Sequence, residues 1–89
     1  MAKVVVTHNV VDVDKWLQFK SERAEAISGM GASNVVDHVA ADGSNTVAVA
    51  TEMDDVEGLR AALSSPPPEL LAIMESHGVV PPLTIYVEQ

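Results

Sequence analysis

The residues of this chain best suited to chemistry are His8, His38 and His77, the cations Lys20 and Arg23, and a single tryptophan, Trp16. Imidazole titrates near neutral pH, so a histidine lining a cavity can take or give a proton at a reacting atom. His8 shares one strand face with Val4, Val6 and Val10, and His77 shares a helical face with Leu70, Ile73 and Met74. Each is a polar group in apolar surroundings. That placement fits a catalytic acid or base, although a lone histidine on an apolar face is more often a hydrogen-bonded core residue. His38, beside Asp37 on a second strand, is expected at a seam between subunits. The three lie on separate elements without the i, i+4 spacing of helical metal ligands, so no metal site is read from them.

The cations raise a second question. At ~100° per residue, Asp14, Gln18, Ser21, Glu22, Glu25 and Ser28 fall on one side of a first helix, and Val13, Trp16, Leu17, Phe19, Ala24, Ile27 and Met30 on the other. Lys20 and Arg23 fall with the apolar set. Cations are costly to bury unpaired, so they call for an anionic ligand in a pocket or for carboxylates from the sheet or a partner subunit. The alternative is that their stems run along the apolar surface and their charged ends reach surface acids. Serine arrangements do not resemble a nucleophile site: no glycine-flanked elbow exists, and Ser64 and Ser65 read as helix punctuation. Gly29 and Gly31 lack phosphate-binding spacing, and Asp54 and Asp55 suit a helix start.

The elements that must position these groups follow from hydrophobic period. A strand over 4–10, rich in valine, stops where Asp12 can cap a helix running from Val13 to Ser28, and Gly29 and Gly31 end that helix. Strands over 34–40 and 46–52 flank the turn at Asp42 and Gly43 and form a hairpin. Asp54 and Glu57 have capping-box spacing for a helix over 55–63. The run Pro66, Pro67, Pro68 breaks it and starts another over 67–77, which Gly78 ends. Pro81 and Pro82 then hold the chain extended before a last strand over 83–88. Two passes of strand, helix and strand predict an α+β fold of the ferredoxin-like β-α-β-β-α-β type, with an antiparallel sheet and the second helix broken at its prolines. Residues 1–89 read as a single domain.

Composition narrows the partners. Thirteen acidic against five basic residues give a formal charge of −8, which repels phosphate backbones and anionic lipid, so neither nucleic acid nor a membrane is an expected partner. The apolar run near Met1 is too short for a signal peptide or a membrane span, and a cytoplasmic protein is expected. The chain has no cysteine, which removes disulfides and thiolate chemistry. Valines on the strands use both faces: Val4, Val6 and Val10 point one way, Val5 and Val11 the other. The helices can cover only one face, so the helix-free face is expected to meet a second copy in a homodimer. Strand propensity alone would also account for the pattern.

The run from His8 through Asn9, Val10, Val11, Asp12, Val13, Asp14 and Lys15 to Trp16 resembles the strand-to-helix passage of small bacterial dimeric α+β barrel proteins. The segment Ser65 to His77, with Gly78, Val79, Val80 and the stretch to Tyr86, is similar to that group's second helix and last strand. The resemblance implies a face-to-face homodimer and a small-molecule pocket between helices and sheet. Relatives of this kind include cofactor-free antibiotic biosynthesis monooxygenases, haem-degrading enzymes, polyketide cyclases and muconolactone isomerases. Asn9, Trp16 and Tyr86 are residue types that the quinone-forming monooxygenases use toward substrate, though in a different spacing. The position of Trp16 on the first helix argues against haem degradation. The expectation is therefore a cofactor-independent monooxygenase, cyclase or isomerase for a small anionic or phenolic substrate. In it His8 or His77 moves a proton, Arg23 holds an oxyanion, and Asn9, Trp16 and Tyr86 bind substrate. A non-catalytic ligand-binding or structural homodimer is the alternative.

Overall fold

Valine-rich sequence with side chains alternating between two environments makes the first strand, β1 (Ala2–Val10), in a computed structural model describing all residues from Met1 to Gln89. Helices α1 (Val13–Gln18) and α2 (Lys20–Ser28) follow, then strands β2 (Ser33–Val39) and β3 (Thr46–Met53). Helices α3 (Val56–Ser64) and α4 (Pro68–Ser76) lead to the last strand, β4 (Val79–Val87). The four strands form one antiparallel sheet in the order β2-β3-β1-β4. This is the α+β ferredoxin-like arrangement, with the second helix broken at its prolines as expected.

Four local departures have physical causes. The first helix is interrupted at Phe19, whose backbone leaves helical geometry. The carbonyl of Trp16 there accepts both the Phe19 N–H at 3.2 Å and Nη1 of Arg23 at 3.1 Å, which draws it out of the regular ladder. Leu17, expected on the buried side, is left exposed. The cap of α3 is Asp55, whose carboxylate accepts from the Gly58 N–H at 2.9 Å, and not Asp54. Asp54 instead lies 3.5 Å from the amino terminus, with both groups well exposed. Finally, Pro81 and Pro82 lie within β4 rather than ahead of it.

Those prolines matter for the site. The register of β1 with β4 shifts between Thr7, opposite Thr84, and Asn9, opposite Val80. The surplus residues of β4 include both prolines, which lack the N–H a ladder needs. The bulge therefore lies alongside His8, where the pairing of β1 with β4 is interrupted.

The core is small and divided. Val4, Ala32, Met53 and Leu59 form one buried cluster, and Val10, Trp16, Val47 and Val49 the other. Only 12 of 89 residues are buried, too few for a wide stability margin in a lone 89-residue chain. Helix α4 is the one helix with no buried residue within its span, and the buried His77 fixes its end. No helix is long and apolar enough to cross a membrane.

The capping geometry yields a direct comparison. Replacing Asp55 with Ala should lower stability by about 1 kcal/mol, the usual cost of a lost N-cap. Replacing Asp54 with Ala removes only an exposed ion pair and should cost roughly half that or less. Urea unfolding midpoints of the two variants measure the difference, and equal losses would contradict the observed cap.

Candidate functional site

Alternation along β1 sends Val4, Val6, His8 and Val10 to the helix side of the sheet, and alternation along β3 sends Val47, Val49, Thr51 and Met53 there. Between this surface and helices α2, α3 and α4 lies a cavity of about 100 Å³, lined by 17 residues of which 13 are hydrophobic. Three of its lining residues can carry charge: His8 from β1, Arg23 from α2 and His77 at the end of α4. The remainder is apolar side chains such as Val6, Leu70 and Ile73, with Thr51 the other polar group.

Arg23 is buried, and its partner is the sheet carboxylate of Asp37 on β2. Nε donates to one carboxylate oxygen at 3.2 Å and Nη2 to the other at 2.7 Å, a two-pronged pair. Nη1 donates to the Trp16 carbonyl at 3.1 Å and to Nδ1 of His77 at 3.4 Å. The guanidinium carbon sits 3.7 Å from the centre of the Trp16 ring, in cation–π geometry. Four of the five N–H groups of an arginine are thus committed to protein atoms. Of the two partners expected for Arg23, a sheet carboxylate is the one present. Its donors are not free for an oxyanion, which corrects the role expected of it. Lys20, by contrast, is exposed on α2, as expected for a stem that carries its charge to the surface.

The two histidines are held in opposite proton states at their ring nitrogens. Nδ1 of His8 lies 3.0 Å from the Asn9 carbonyl; a carbonyl only accepts, so Nδ1 carries the hydrogen and Nε2 the lone pair. Nδ1 of His77 faces an arginine donor, so in the neutral ring it must accept and Nε2 carries the hydrogen. That Nε2 is buried without a hydrogen-bond partner, and the nearest carboxylate oxygen, from Glu22, is 3.7 Å away. Phe19 stacks on the His77 ring with centroids 4.5 Å apart, so the break in the first helix supports His77, although Phe19 is not among the residues lining the cavity.

Both rings resist protonation. Burial pushes His8 below the ordinary 6.5; the Asn9 carbonyl opposes the shift and the charge of Arg23 adds to it. Burial also lowers His77, and Arg23 reinforces this, while Glu22 and Asp37 work against it.

The other expected site residues are placed elsewhere. Trp16 is fully buried but belongs to the core cluster behind His8 and Arg23, and the 17 residues lining the cavity do not include it. It supports the wall as a second layer, 6.2 Å from the His8 ring in an edge-on arrangement. Its indole N–H is buried without a partner. Asn9 is exposed on the helix-free face, where its side-chain oxygen accepts from the Thr46 hydroxyl at 2.8 Å. Tyr86, opposite Val5 in the register, is more than half exposed on that same face. Asn9 and Tyr86 are therefore not brought to the cavity. His38 also lies on the helix-free face, opposite Ala48. Asp37 was not singled out in the sequence, although an acid at an inward strand position, opposite Val49 of β3, is the kind of signal that marks a buried pair.

The lowered histidines give stability a pH dependence of known sign. Between the ordinary value of 6.5 and the lower folded value, the unfolded chain binds more protons than the folded one, so stability rises with pH. The contribution is complete above about 6.5 and is lost as pH falls through the window beneath it. Urea midpoints should therefore drop between about pH 7.5 and 5.5. The slope should flatten in the His8→Asn, His77→Gln double variant; an unchanged slope would remove these histidines as its source.

Searches against protein-family models and curated proteins find no match. Solved structures of the same fold do match over the whole chain. An antibiotic biosynthesis monooxygenase superposes with a TM-score of 0.65 at 14% identity, covering 100% of this chain and 97% of the other. A candidate antibiotic biosynthesis monooxygenase from Deinococcus radiodurans gives 0.59 at 12% identity, covering 100% and 91%. A further one from Nitrosomonas europaea gives 0.58 at 16% identity, covering 100% and 97%. At such identities the likeness is one of architecture: this chain has the ferredoxin-like α+β fold that those structures share.

Proposed function

We propose that the protein binds a small, uncharged, ring-sized molecule in the cavity and that His8 removes a proton from it. Proton removal is shared by cofactor-independent monooxygenation, cyclisation and isomerisation, and a phenol is the substrate class the cavity suits best. The observation that carries this reading is the pairing of an apolar cavity with a neutral imidazole whose Nδ1 is tied to the Asn9 carbonyl and whose Nε2 keeps its lone pair. A base of this kind contributes about 10²–10⁴-fold to a proton transfer. The anion left on the substrate would form near the Arg23–Asp37 pair, whose charges already balance, so the newly charged His8 would be its main counter-ion. Neighbouring structures described as antibiotic biosynthesis monooxygenases support an oxygenase among the three chemistries.

The volume limits what enters. About 100 Å³ is less than the ~150 Å³ cavity known to accept benzene, so even one ring requires α4 to lift. No residue within α4 itself is buried, so that movement is opposed chiefly by His77 at the helix end, which is buried and hydrogen-bonded to Arg23. The same small volume, with the donors of Arg23 already committed, favours a non-catalytic binding or structural dimer as the second reading.

Exposing the protein to simple phenols and hydroquinones under air, with oxygen uptake and product followed, separates the two. Turnover should rise with pH along a limb below 6.5, because only neutral His8 can act, and then level off. His8→Ala should lower it about 10²-fold or more. Full activity in that variant would eliminate His8 as the base, and no turnover with any substrate would favour the non-catalytic reading.

The sheet supports a homodimer as the assembled form. Val36, Ala50, Val5 and Tyr86 face one another in register across all four strands on the helix-free side, with Val36 and Tyr86 exposed at its two ends. A continuous apolar stripe of this kind is what a second copy would cover. Small-angle scattering at micromolar concentration should give a dimer, and Tyr86→Asp should shift it toward monomer; a monomeric parent protein would overturn this assembly.

A further inference from the structure

We infer that Asp37 sets the ligand specificity of the cavity: by cancelling the charge of Arg23 from the side away from the ligand space, it makes the cavity select uncharged molecules over anions of the same shape. The inference rests on the reading of the cavity as a ligand site and deepens it. Arg23 lines the cavity and Asp37 does not. The Asp37 carboxylate nonetheless occupies Nε and Nη2 of the guanidinium and is itself 3% exposed. An unpaired guanidinium against an apolar hollow would attract an anion strongly, because little solvent is present to screen it. With Asp37 in place that demand is met within the protein.

The other charged and titratable groups around the cavity reinforce the same selection. His8 and His77 are held neutral, and Glu22 adds a carboxylate 3.7 Å from Nε2 of His77. The chain as a whole carries a formal charge of −8, so an approaching anion meets repulsion before it reaches the cavity. Among the residues lining the cavity, Arg23 is the one permanent cation that could hold a carboxylate or phosphate by charge. Asp37 is thus a positioning residue, acting on ligands only through the guanidinium it neutralises.

Benzyl alcohol and benzoate, alike in shape and different in charge, are suitable probes at pH 7.5, with binding followed by NMR titration of the intact protein. The parent protein should bind benzyl alcohol at least about tenfold more tightly than benzoate, and Asp37→Asn should raise benzoate affinity relative to the alcohol by about tenfold or more. Asp37→Glu, which keeps the charge, should restore the parent ranking. If Asp37→Asn does not fold, the paired variant Arg23→Met, Asp37→Leu decides: it should still reject benzoate, since neither charge remains. A parent protein that prefers benzoate would overturn the inference, as would an Asp37→Asn variant with an unchanged ratio or a paired variant that gains benzoate binding. Failure of both probes to bind any of these proteins would instead remove the ligand-site reading, and the inference with it.

Discussion

The buried pair of Arg23 and Asp37 is the interaction on which the rest of this structure depends. Burying two charges is expensive, and the cost is recovered only when the geometry is good and the remaining donors are satisfied. Here the carboxylate takes two guanidinium N–H groups, the Trp16 carbonyl and the His77 ring take two more, and the Trp16 face supports the cation from one side. Loss of one partner would leave an uncompensated buried charge, a defect that typically costs about 3–5 kcal/mol. In a domain of this size that is a large share of the total, which is commonly ~5–15 kcal/mol. The pair joins α2 to the edge strand β2, and through His77 it reaches the end of α4.

Several features that look independent follow from it. The interruption at Phe19 coincides with the carbonyl that Arg23 engages, and the same interruption places the Phe19 ring against His77. The proton arrangement of His77 follows from facing an arginine donor, while that of His8 follows from its neighbour's carbonyl. One cavity thereby holds an imidazole with a free lone pair and another whose Nε2 bears hydrogen. The charge of the cavity has the same origin, since its one permanent cation is balanced before any ligand arrives.

The unequal hold on the helices is the second organising fact. Trp16 and Arg23 anchor α1 and α2 and Leu59 anchors α3, whereas α4 rests on the cavity by partly buried side chains and is held only at its end, by the buried His77. Local opening is drawn from elements with few buried apolar contacts. The proline break precedes α4, and the proline bulge interrupts the pairing of β4 with β1 on the same side of the molecule. The ligand site proposed beneath α4 and the subunit seam proposed on the opposite sheet face therefore do not compete for the same surface.

Much of the architecture was legible in the amino-acid order, because strand and helix periods, helix caps and proline breaks are local properties. Period alone assigned His8 and His77 to apolar faces, and both line the cavity. Alternation also shows why Asn9 could not join His8: adjacent residues of a strand point to opposite faces. The exclusion of Tyr86 was less visible, since only the strand pairing, which sets Tyr86 opposite the outward-facing Val5, shows which face of β4 it occupies. The fate of Arg23 was not local at all. A cation at an apolar helical position called for a negative partner, but an anionic ligand and a carboxylate of the chain satisfy that demand equally. Asp37, 14 residues away on another layer, answered it. Sequence determined which groups needed partners, and tertiary packing decided which partners they found, because charge and hydrogen-bond satisfaction depend on distances that only the folded chain sets.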